Sequence, residues 1–423
     1  MKQKQPARNL NIRKRFLAIT KEERIRAEFW KKLALIFLLK SRAVLLQSRT
    51  NVAYAEEFKN RARIAFLRYI QIAYEPDDFK LEPPQRLVIN ISVFDESFCM
   101  KYFKFKKTDL FRLLNGLRFS KKCHLENRST LPGEEVLLRG IYQMVNGTKQ
   151  FDMAEGVFGR DQSQQSRAFK YFIDYVYDNF AHLVNDNLDW WHSNGYIAAS
   201  QRAIESRLQN LGLDVDNAGI SGAAYFLGCN SVDYHRTGAS PRDGTSNSSL
   251  LLEDEAQLPF LNRGKSIHGW KFQALDIAHG FTIDFYGSPI LSRNQDSLLV
   301  ESKLERRLEL TWEQHSRTHR VLGRRNHHST QSTNIVDTYK NSDPLISELG
   351  CEVEWNFGAM ISFFGLLQNS SRLRVMSEGT VTKIFYVAAI LRNCHIALYG
   401  NCSSRCFNIS LDEDMLEKYL HKS

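Results

Sequence analysis

Two pairs of histidines are the residues whose spacing first suggests metal chemistry. His315 and His319 stand four residues apart, a spacing that brings two imidazoles to one face of a helix. The glutamate that adjoins such a pair in zinc proteases is absent, and His327 and His328 offer only their proximity. We therefore expect all four side chains to face solvent. The sequence also lacks a Gly-rich phosphate loop, a nucleophile elbow and a dinucleotide-binding fingerprint.

The length and amino-acid composition limit the classes of protein to which this chain can belong. A chain of 423 residues with 43% hydrophobic composition can bury a full core, and we expect two folded domains and an arm. The seven cysteines are odd in number and scattered, which favours reduced thiols over a disulfide framework. The most apolar stretch, 33–46, is interrupted by Lys40 and Arg42, so we expect neither a membrane span nor secretion.

Positive charge is concentrated at the start of the chain. Residues 1–70 hold 18 Lys/Arg against 5 Asp/Glu, a net charge of +13, which leaves −3 for the rest. This charge fits a phosphate backbone, and a solvated basic helix explains it equally well. A short basic cluster at 13–15 could serve import into the nucleus. The pattern is helical from Ile12 to Tyr74 and a proline-containing linker follows, so we predict a basic helical arm over 1–85.

A three-helix pattern lies within a predicted all-α, helix-turn-helix-like region over 86–215. Pro132 opens the first helix, Gly147 ends it, a short helix spans 151–158, and a third helix follows Gly159. The third helix begins with residue types that contact bases and phosphates, namely Arg160, Gln162, Ser163, Gln164, Arg167 and Lys170. Three-helix units also serve as structural packing, so DNA binding and packing both stay open.

The periodicity changes beyond residue 220, within a predicted α/β domain over 216–400 that precedes a tail at 401–423. The predicted elements, in chain order, are a strand at 223–227, a hairpin of 266–276 and 281–286, a helix at 297–308, a strand that ends at Gly323 and a helix at 352–367. The order is therefore strand, hairpin, helix, strand, helix.

Four separated motifs carry a resemblance to a known family. They are, in chain order, Leu131–Leu138 with Asp152–Gly159, then Gly264–Gln273, then Val353–Gly358, then the closing run Phe385–Gly400. The second motif, Gly-Lys-Ser-Ile-His-Gly-Trp-Lys-Phe-Gln, is the most specific. Together they resemble the Harbinger-type DDE transposases over residues 95–420. The resemblance implies an RNase H-like DDE nuclease domain of the α/β class, preceded by the helix-turn-helix-like region and the basic arm.

The resemblance implies three acidic positions that hold two Mg²⁺ or Mn²⁺ ions for phosphodiester cleavage. Gly228 stands at the first position, at the expected end of a strand, and Arg324 stands at the second. Glu354 keeps the third acid and is the one expected metal ligand. Asp233, which we expect in an insertion after the strand, and Asp296 are candidate substitutes. A cation at position 324 would oppose Mg²⁺ binding by like-charge repulsion.

The same resemblance adds further expectations. Lys265 and Lys271 of the matched strand join the expected DNA-binding residues. Asp284, on the second strand of the hairpin, either points into the site or is a solvated edge residue. Family transposases act with a separate Myb-like DNA-binding protein, so the implied partners are DNA and such a protein.

Three functional readings follow. The leading hypothesis is a nuclear, transposase-derived protein that binds DNA and whose metal-dependent cleavage is lost or impaired. One alternative is an active transposase or nuclease in which Asp233, Asp296 and Glu354 converge on metal. The other is a non-catalytic scaffold that binds a partner protein through the arm.

Overall fold

The computed structural model divides into two compact units, Met1–Val88 and Ile89–Ser423. The residues that the structure describes are 29, 31–39, 61–65, 89–126, 129–147, 157–158, 162–217, 219–234, 261–262, 267–288, 295–323, 334–337, 356–368 and 378–421. In the first unit they form helical segments at 31–39 and 61–65. The division lies close to the predicted end of the arm at residue 85.

Helices account for most of the second unit. The α-helices that we number are α1 (Lys107–Gly116), α2 (Gly133–Asn146), α3 (Gln162–Phe180), α4 (Leu188–Ser193), α5 (Tyr196–Asn210), α6 (Gln295–Ser302), α7 (Leu304–His315), α8 (356–363), α9 (Gly365–Gln368), α10 (Glu378–Tyr399), α11 (Cys402–Cys406) and α12 (Met415–Leu420). Short helical turns lie at Ile91–Val93, Glu96–Phe98, Cys99–Phe103 and Ala181–Val184.

Two helices of the predicted three-helix region have the expected bounds. Pro132 precedes α2 as its N-cap, and Gly147 ends α2 with a φ of 54°, a left-handed conformation that glycine adopts without strain. The apolar stripe predicted for the third helix is buried in α3, as at Phe172 and Val176. Of the predicted short helix at 151–158, only residues 157 and 158 are described.

The second unit also contains two sheets. Their strands are β1 (Cys123–His124), β2 (Thr130–Leu131), β3 (Ala223–Tyr234), β4 (Leu261–Asn262), β5 (Ile267–Ile277), β6 (Thr282–Ser288), β7 (Arg320–Gly323) and β8 (Ile335–Asp337). Strands β1 and β2 pair alone, while the main sheet runs β4-β5-β3-β7-β8 with β6 also paired to β5. Strand β3 is antiparallel to β5 and parallel to β7, which is parallel to β8. The hairpin and the strand before residue 323 are thus confirmed.

Alternation along the strands divides the main sheet into two faces. We call the face that carries Tyr225 and Leu227 the Tyr225 face, and the face that carries Phe226 and Gly228 the Gly228 face. Helices α4 and α7 cover the Tyr225 face, where His192 and Trp312 contact Tyr225. Helices α8 and α10 cover the Gly228 face, where the ring centroids of Phe272 and Phe385 lie 4.1 Å apart.

Two predicted elements have different bounds in the structure. The helix predicted over 297–308 is two helices, α6 and α7, which are separated at Lys303 with a φ of 52°. Strand β3 continues to Tyr234, so the expectation that it ends at Gly228 is wrong. Its antiparallel pairing with β5 extends through this stretch and holds the backbone in the sheet.

Helix α10 is the central helix of the apolar core. Its stretch Gly379–Tyr399 is long and apolar enough to cross a membrane by length and composition, with a mean hydropathy of 1.3. However, 72% of that stretch is buried inside the protein. The core it joins includes Phe172 of α3 and Phe272 of β5, so one core serves the helical region and the sheet. This burial is that of a core helix.

The end of α2 and the start of α9 meet backbone to backbone. A Cβ atom added at Gly147 would lie 2.6 Å from the carbonyl carbon of Gly365. A Cβ atom added at Gly365 would lie 2.7 Å from the carbonyl oxygen of Val145. Both separations are too short for any side chain, so the approach of these two segments depends on the two glycines.

Candidate functional site

The first acid position implied by the resemblance lies on β3, and the second directly follows β7 in the sequence. Strands β3 and β7 are parallel neighbours and Leu227 pairs with Gly323, the residues that precede Gly228 and Arg324 in the chain. Neighbouring strands lie about 4.8 Å apart. Gly228 is buried within β3 and supplies no ligand atom. Arg324 lies outside the described residues, as does Glu354.

A buried carboxyl lies on the same face as Gly228. Asp276 of β5 pairs across the sheet with Phe226, two residues before Gly228 in β3. The side-chain amide of Asn356 donates one hydrogen bond to Asp276 Oδ2, at 3.0 Å, and another to the carbonyl oxygen of Gly280, at 3.1 Å. Asn356 is the first described residue of α8, so these bonds hold this part of the late helix against the hairpin.

The environment of Asp276 favours its neutral form. Burial raises the pKa of this carboxyl to about 7, although hydrogen bonds from Thr282 and Asn356 lower it in part. At neutral pH this carboxyl is therefore partly protonated, and a protonated acid bonded to an amide is a weaker ligand for Mg²⁺ than a carboxylate. Among the described residues, no group of three or more His, Cys, Asp or Glu side chains is arranged to hold a metal. The described part of this face therefore does not fit a two-metal centre.

Asp284 lies on the opposite face and is part of a buried ion pair. It pairs in register with Leu275 of β5, on the Tyr225 face. Arg307 of α7 binds both of its carboxylate oxygens, with Nη2 2.9 Å from Oδ1. Burial raises the pKa of Asp284 to about 6 even though Arg307 opposes the shift. Both readings from the sequence are wrong, because Asp284 neither points toward Gly228 nor contacts solvent.

The two candidate substitute acids lie in different places. Asp233 is within β3, where its backbone pairs with Gly269, so its expected position in an insertion is wrong. At about 3.3 Å per residue, it is roughly 17 Å along the strand from Gly228. Asp296 belongs to α6, whose last residue Ser302 accepts a hydrogen bond from Gln273 on the Tyr225 face. Side-chain positions of both acids lie outside the described residues.

Three histidines gather around Tyr225. The ring centroid of His192 lies 5.0 Å from that of His315 and 5.4 Å from that of His319. His192 Nε2 is 2.5 Å from the Tyr225 hydroxyl, and His315 Nε2 is 2.7 Å from Asp189 Oδ1. Burial, together with the charges of His319 and His315, lowers the pKa of His192 to about 4.

This cluster corrects the expectation for the first histidine pair. His319 is 3% exposed and precedes β7, whereas His315 ends α7, so the two do not share a helix face. His192 was missed because it lies more than a hundred residues away in the sequence. His327 and His328 lie outside the described residues.

The expected DNA-binding residues of α3 lie at its beginning. Gln162 and Ser163 are exposed and Gln164 is half-buried. Arg167 and Lys170 line a groove of 360 Å³ on the outer face of the helix. Lys170 is exposed and forms an ion pair with Glu126. Arg160 lies outside the described residues.

Acidic side chains line the other end of this groove. Asp174 and Asp178 belong to the same helix face as Lys170 and contribute to the groove. Lys383 Nζ of α10 lies 2.7 Å from Asp174 and 3.4 Å from Asp178. The surface therefore has a basic end and an acidic end, and only the basic end suits a phosphate.

Of the two lysines in the motif Gly264–Gln273, only Lys271 is described by the structure. Lys271 is half-buried on β5, in register with Ser231 and Ser288, and burial lowers its pKa. Lys271 and Phe272 are adjacent in β5, so their side chains point to opposite faces of the sheet. Because Phe272 lies on the Gly228 face, Lys271 lies on the Tyr225 face, away from Gly228. Lys265 lies outside the described residues.

Comparison of the chain with family models, with curated proteins and with solved structures finds no match in any of the three.

Proposed function

We propose that this chain is a transposase-derived, RNase H-like DDE protein that binds DNA in the nucleus and whose metal-dependent cleavage is lost or impaired. One observation supports the proposal: Leu227 of β3 pairs with Gly323 of the parallel strand β7, and these residues directly precede Gly228 and Arg324, the positions at which the family has two acids. The order of strand, hairpin, helix and strand, followed by a late helix, supports the same scaffold.

The loss of cleavage rests on ligand chemistry. Two Mg²⁺ ions need several anionic oxygens at one place, and Gly228 provides none. Asp276 on the same face is bonded to Asn356 and has a raised pKa.

The alternative of relocated acids is disfavoured by the two faces of the sheet. Asp276 and Asn356 join the start of α8 to the Gly228 face. Helix α6, which contains Asp296, ends on the Tyr225 face through Ser302 and Gln273. The sheet therefore separates the helix of Asp296 from the helix that follows Glu354.

A nicking assay tests the proposed loss of cleavage. Full-length protein is incubated with labelled duplex DNA and Mg²⁺ or Mn²⁺, beside a Glu354→Gln variant. We expect the same background in both samples. Divalent-dependent nicking that Glu354→Gln abolishes would overturn the proposal in favour of an active nuclease.

The DNA-binding half of the proposal needs its own measurement. Fluorescence anisotropy with a labelled duplex should detect binding whose affinity falls as salt is raised, because neutralised phosphates release counterions. A protein that binds no duplex at low salt would contradict this half. A Myb-like partner remains a proposal that co-purification of the two proteins would test.

A further inference from the structure

We infer that the helix at 31–39 docks into the apolar groove of an acidic, calcium-loaded EF-hand protein of the calmodulin type. The inference concerns the first unit alone. The inference does not depend on whether the second unit binds DNA.

Exposed apolar side chains are the first observation. Leu35, Ile36, Leu38 and Leu39 are 59%, 46%, 52% and 58% exposed. At 100° per residue they occupy an arc of about 160° of the helix. Ala34, on the other side, is buried. Leu33 and Phe37, which also lie outside this arc, are half-buried, so the exposed apolar side chains form a leucine-rich stripe along one face of the helix.

The charge of the segment is the second observation. Residues 29–55 contain five Lys/Arg and no Asp or Glu. Exposed Lys31 and Lys32 fall within the same arc as the apolar stripe, at its N-terminal end. The stripe thus begins with two cations and continues with leucines along one face.

The positions of the cations favour a protein groove as the partner of this helix over a lipid surface, a second copy of the segment or DNA. A helix that lies on a lipid surface carries its cations on the polar face, opposite or beside the apolar one. Here cations and leucines follow one another along one face, which fits a groove with apolar walls and an acidic end. A second copy of the segment would bring two strongly basic helices together, and DNA offers no apolar partner for the leucines.

Calcium-loaded EF-hand sensors offer this chemistry. They open a methionine-rich apolar groove that takes an amphipathic helix through anchors at three- and four-residue steps. Leu35, Leu38 and Leu39 have this spacing. Methionine adapts its shape to irregular ligands, so such a groove accommodates a leucine stripe.

Titration of full-length protein with fluorescent calmodulin tests the inference, in calcium and in excess chelator. We expect one-to-one binding in calcium that the chelator abolishes. The variant Leu35→Gln/Leu38→Gln/Leu39→Gln should bind about 100-fold more weakly, since buried apolar anchors supply most of the energy of such interfaces. A matched variant of the second unit, Val93→Gln/Leu211→Gln/Val300→Gln, removes three side chains of similar exposure and should bind normally.

A charge pair provides the second arm of the experiment. Lys31→Glu/Lys32→Glu should weaken calmodulin binding about tenfold, while Lys121→Glu/Lys122→Glu, an exposed pair of the second unit, should not. Loss of binding in both leucine variants, or in neither, overturns the inference. So does an absence of calmodulin binding, whether or not the arm instead binds phosphatidylserine vesicles or self-associates in sedimentation.

Discussion

The two faces of the main sheet differ in the partner that each provides for a buried acidic side chain. On the Tyr225 face, the carboxylate of Asp284 is matched by the permanent charge of Arg307. On the Gly228 face, the Asp276 carboxyl accepts a hydrogen bond from the neutral amide of Asn356. A buried carboxylate is stabilised where a cation compensates it, and a carboxyl without such a partner is protonated more easily. The pKa of Asp284 is accordingly raised to about 6 and that of Asp276 to about 7, so the presence of a cationic partner distinguishes the two faces.

The largest expected effect is on the Tyr225 face. Arg307→Leu leaves Asp284 buried without a cation, so we expect the free energy of unfolding to fall by about 3–5 kcal/mol in urea titrations. Arg306 on the same helix is the matched control, because its pair with Glu309 spans 3.5 Å and both side chains are largely exposed. Arg306→Leu should change stability by less than about 0.5 kcal/mol. Equal effects of the two variants would contradict the asymmetry.

The pH dependence of stability tests the Gly228 face. The pKa of Asp276 is raised from 3.8 to about 7 in the folded state, so folding favours the protonated acid. The resulting stability is full below the unfolded pKa and is lost as pH rises through 7. Relative to wild type, Asp276→Asn should be more stable at pH 8, by on the order of 2–4 kcal/mol, and nearly equal at pH 4.

Chemical denaturation across this pH range measures the effect. Asp284→Asn serves as the comparison, because the pKa of Asp284 is raised less, to about 6, so the gain in stability between pH 4 and pH 8 should be smaller than for Asp276→Asn. If Asp276→Asn is destabilising at pH 8, folding does not raise the pKa of Asp276 and the contrast between the faces fails.

Acidic substitutions at positions 228 and 324 test whether the Gly228 face can hold a metal ion. If Gly228→Asp and Arg324→Asp place two carboxylates beside Glu354, affinity for Mn²⁺ should rise at least about tenfold in calorimetric titration. Each single change should do little, because residues that act as a unit are non-additive. Cys229→Asp with Arg324→Asp is the matched control, since position 229 lies on the other face of β3. Improved binding in the control would show that the register, as we interpret it, does not define a site.

The smallest expected effect concerns α3. Replacement of Arg160, Arg167 and Lys170 by alanine should flatten the salt dependence of DNA binding by roughly one unit of slope per lost phosphate contact. Lys170 is already paired with Glu126, so Arg167→Ala should have a larger effect than Lys170→Ala. Glu126→Gln frees Lys170 and should strengthen binding a few-fold. An unchanged slope in the triple variant would place the DNA on another surface.

Local patterns in the sequence predicted much of the fold. The stripe at Phe172 and Val176, the end of α2 at Gly147 and the hairpin of β5 and β6 all follow from periodicity or turn residues close in sequence. The continuation of β3 to Tyr234 does not, because pairing with β5 rather than its own residues keeps it extended.

The side-chain partners in the candidate site were harder to predict, because they too are distant in the sequence. Asp284 finds Arg307 in a helix beyond the hairpin, and Asp276 finds Asn356 eighty residues later. An acid between apolar residues of a strand, as in Ala274-Leu-Asp-Ile277, signals burial. It does not identify the partner, which depends on how the helices pack on the sheet.

The contact between Gly147 and Gly365 has a consequence for how this chain tolerates mutation. The atoms that a new Cβ would meet belong to backbone, so no rotation of a neighbouring side chain can make room. Gly228→Asp would add a side chain at the register position expected to carry one. In a saturation-mutagenesis map scored by folded yield, positions 147 and 365 should therefore accept almost no replacement, while position 228 should accept at least small polar ones. Among the least changeable residues of this protein would then be two that carry no functional group at all.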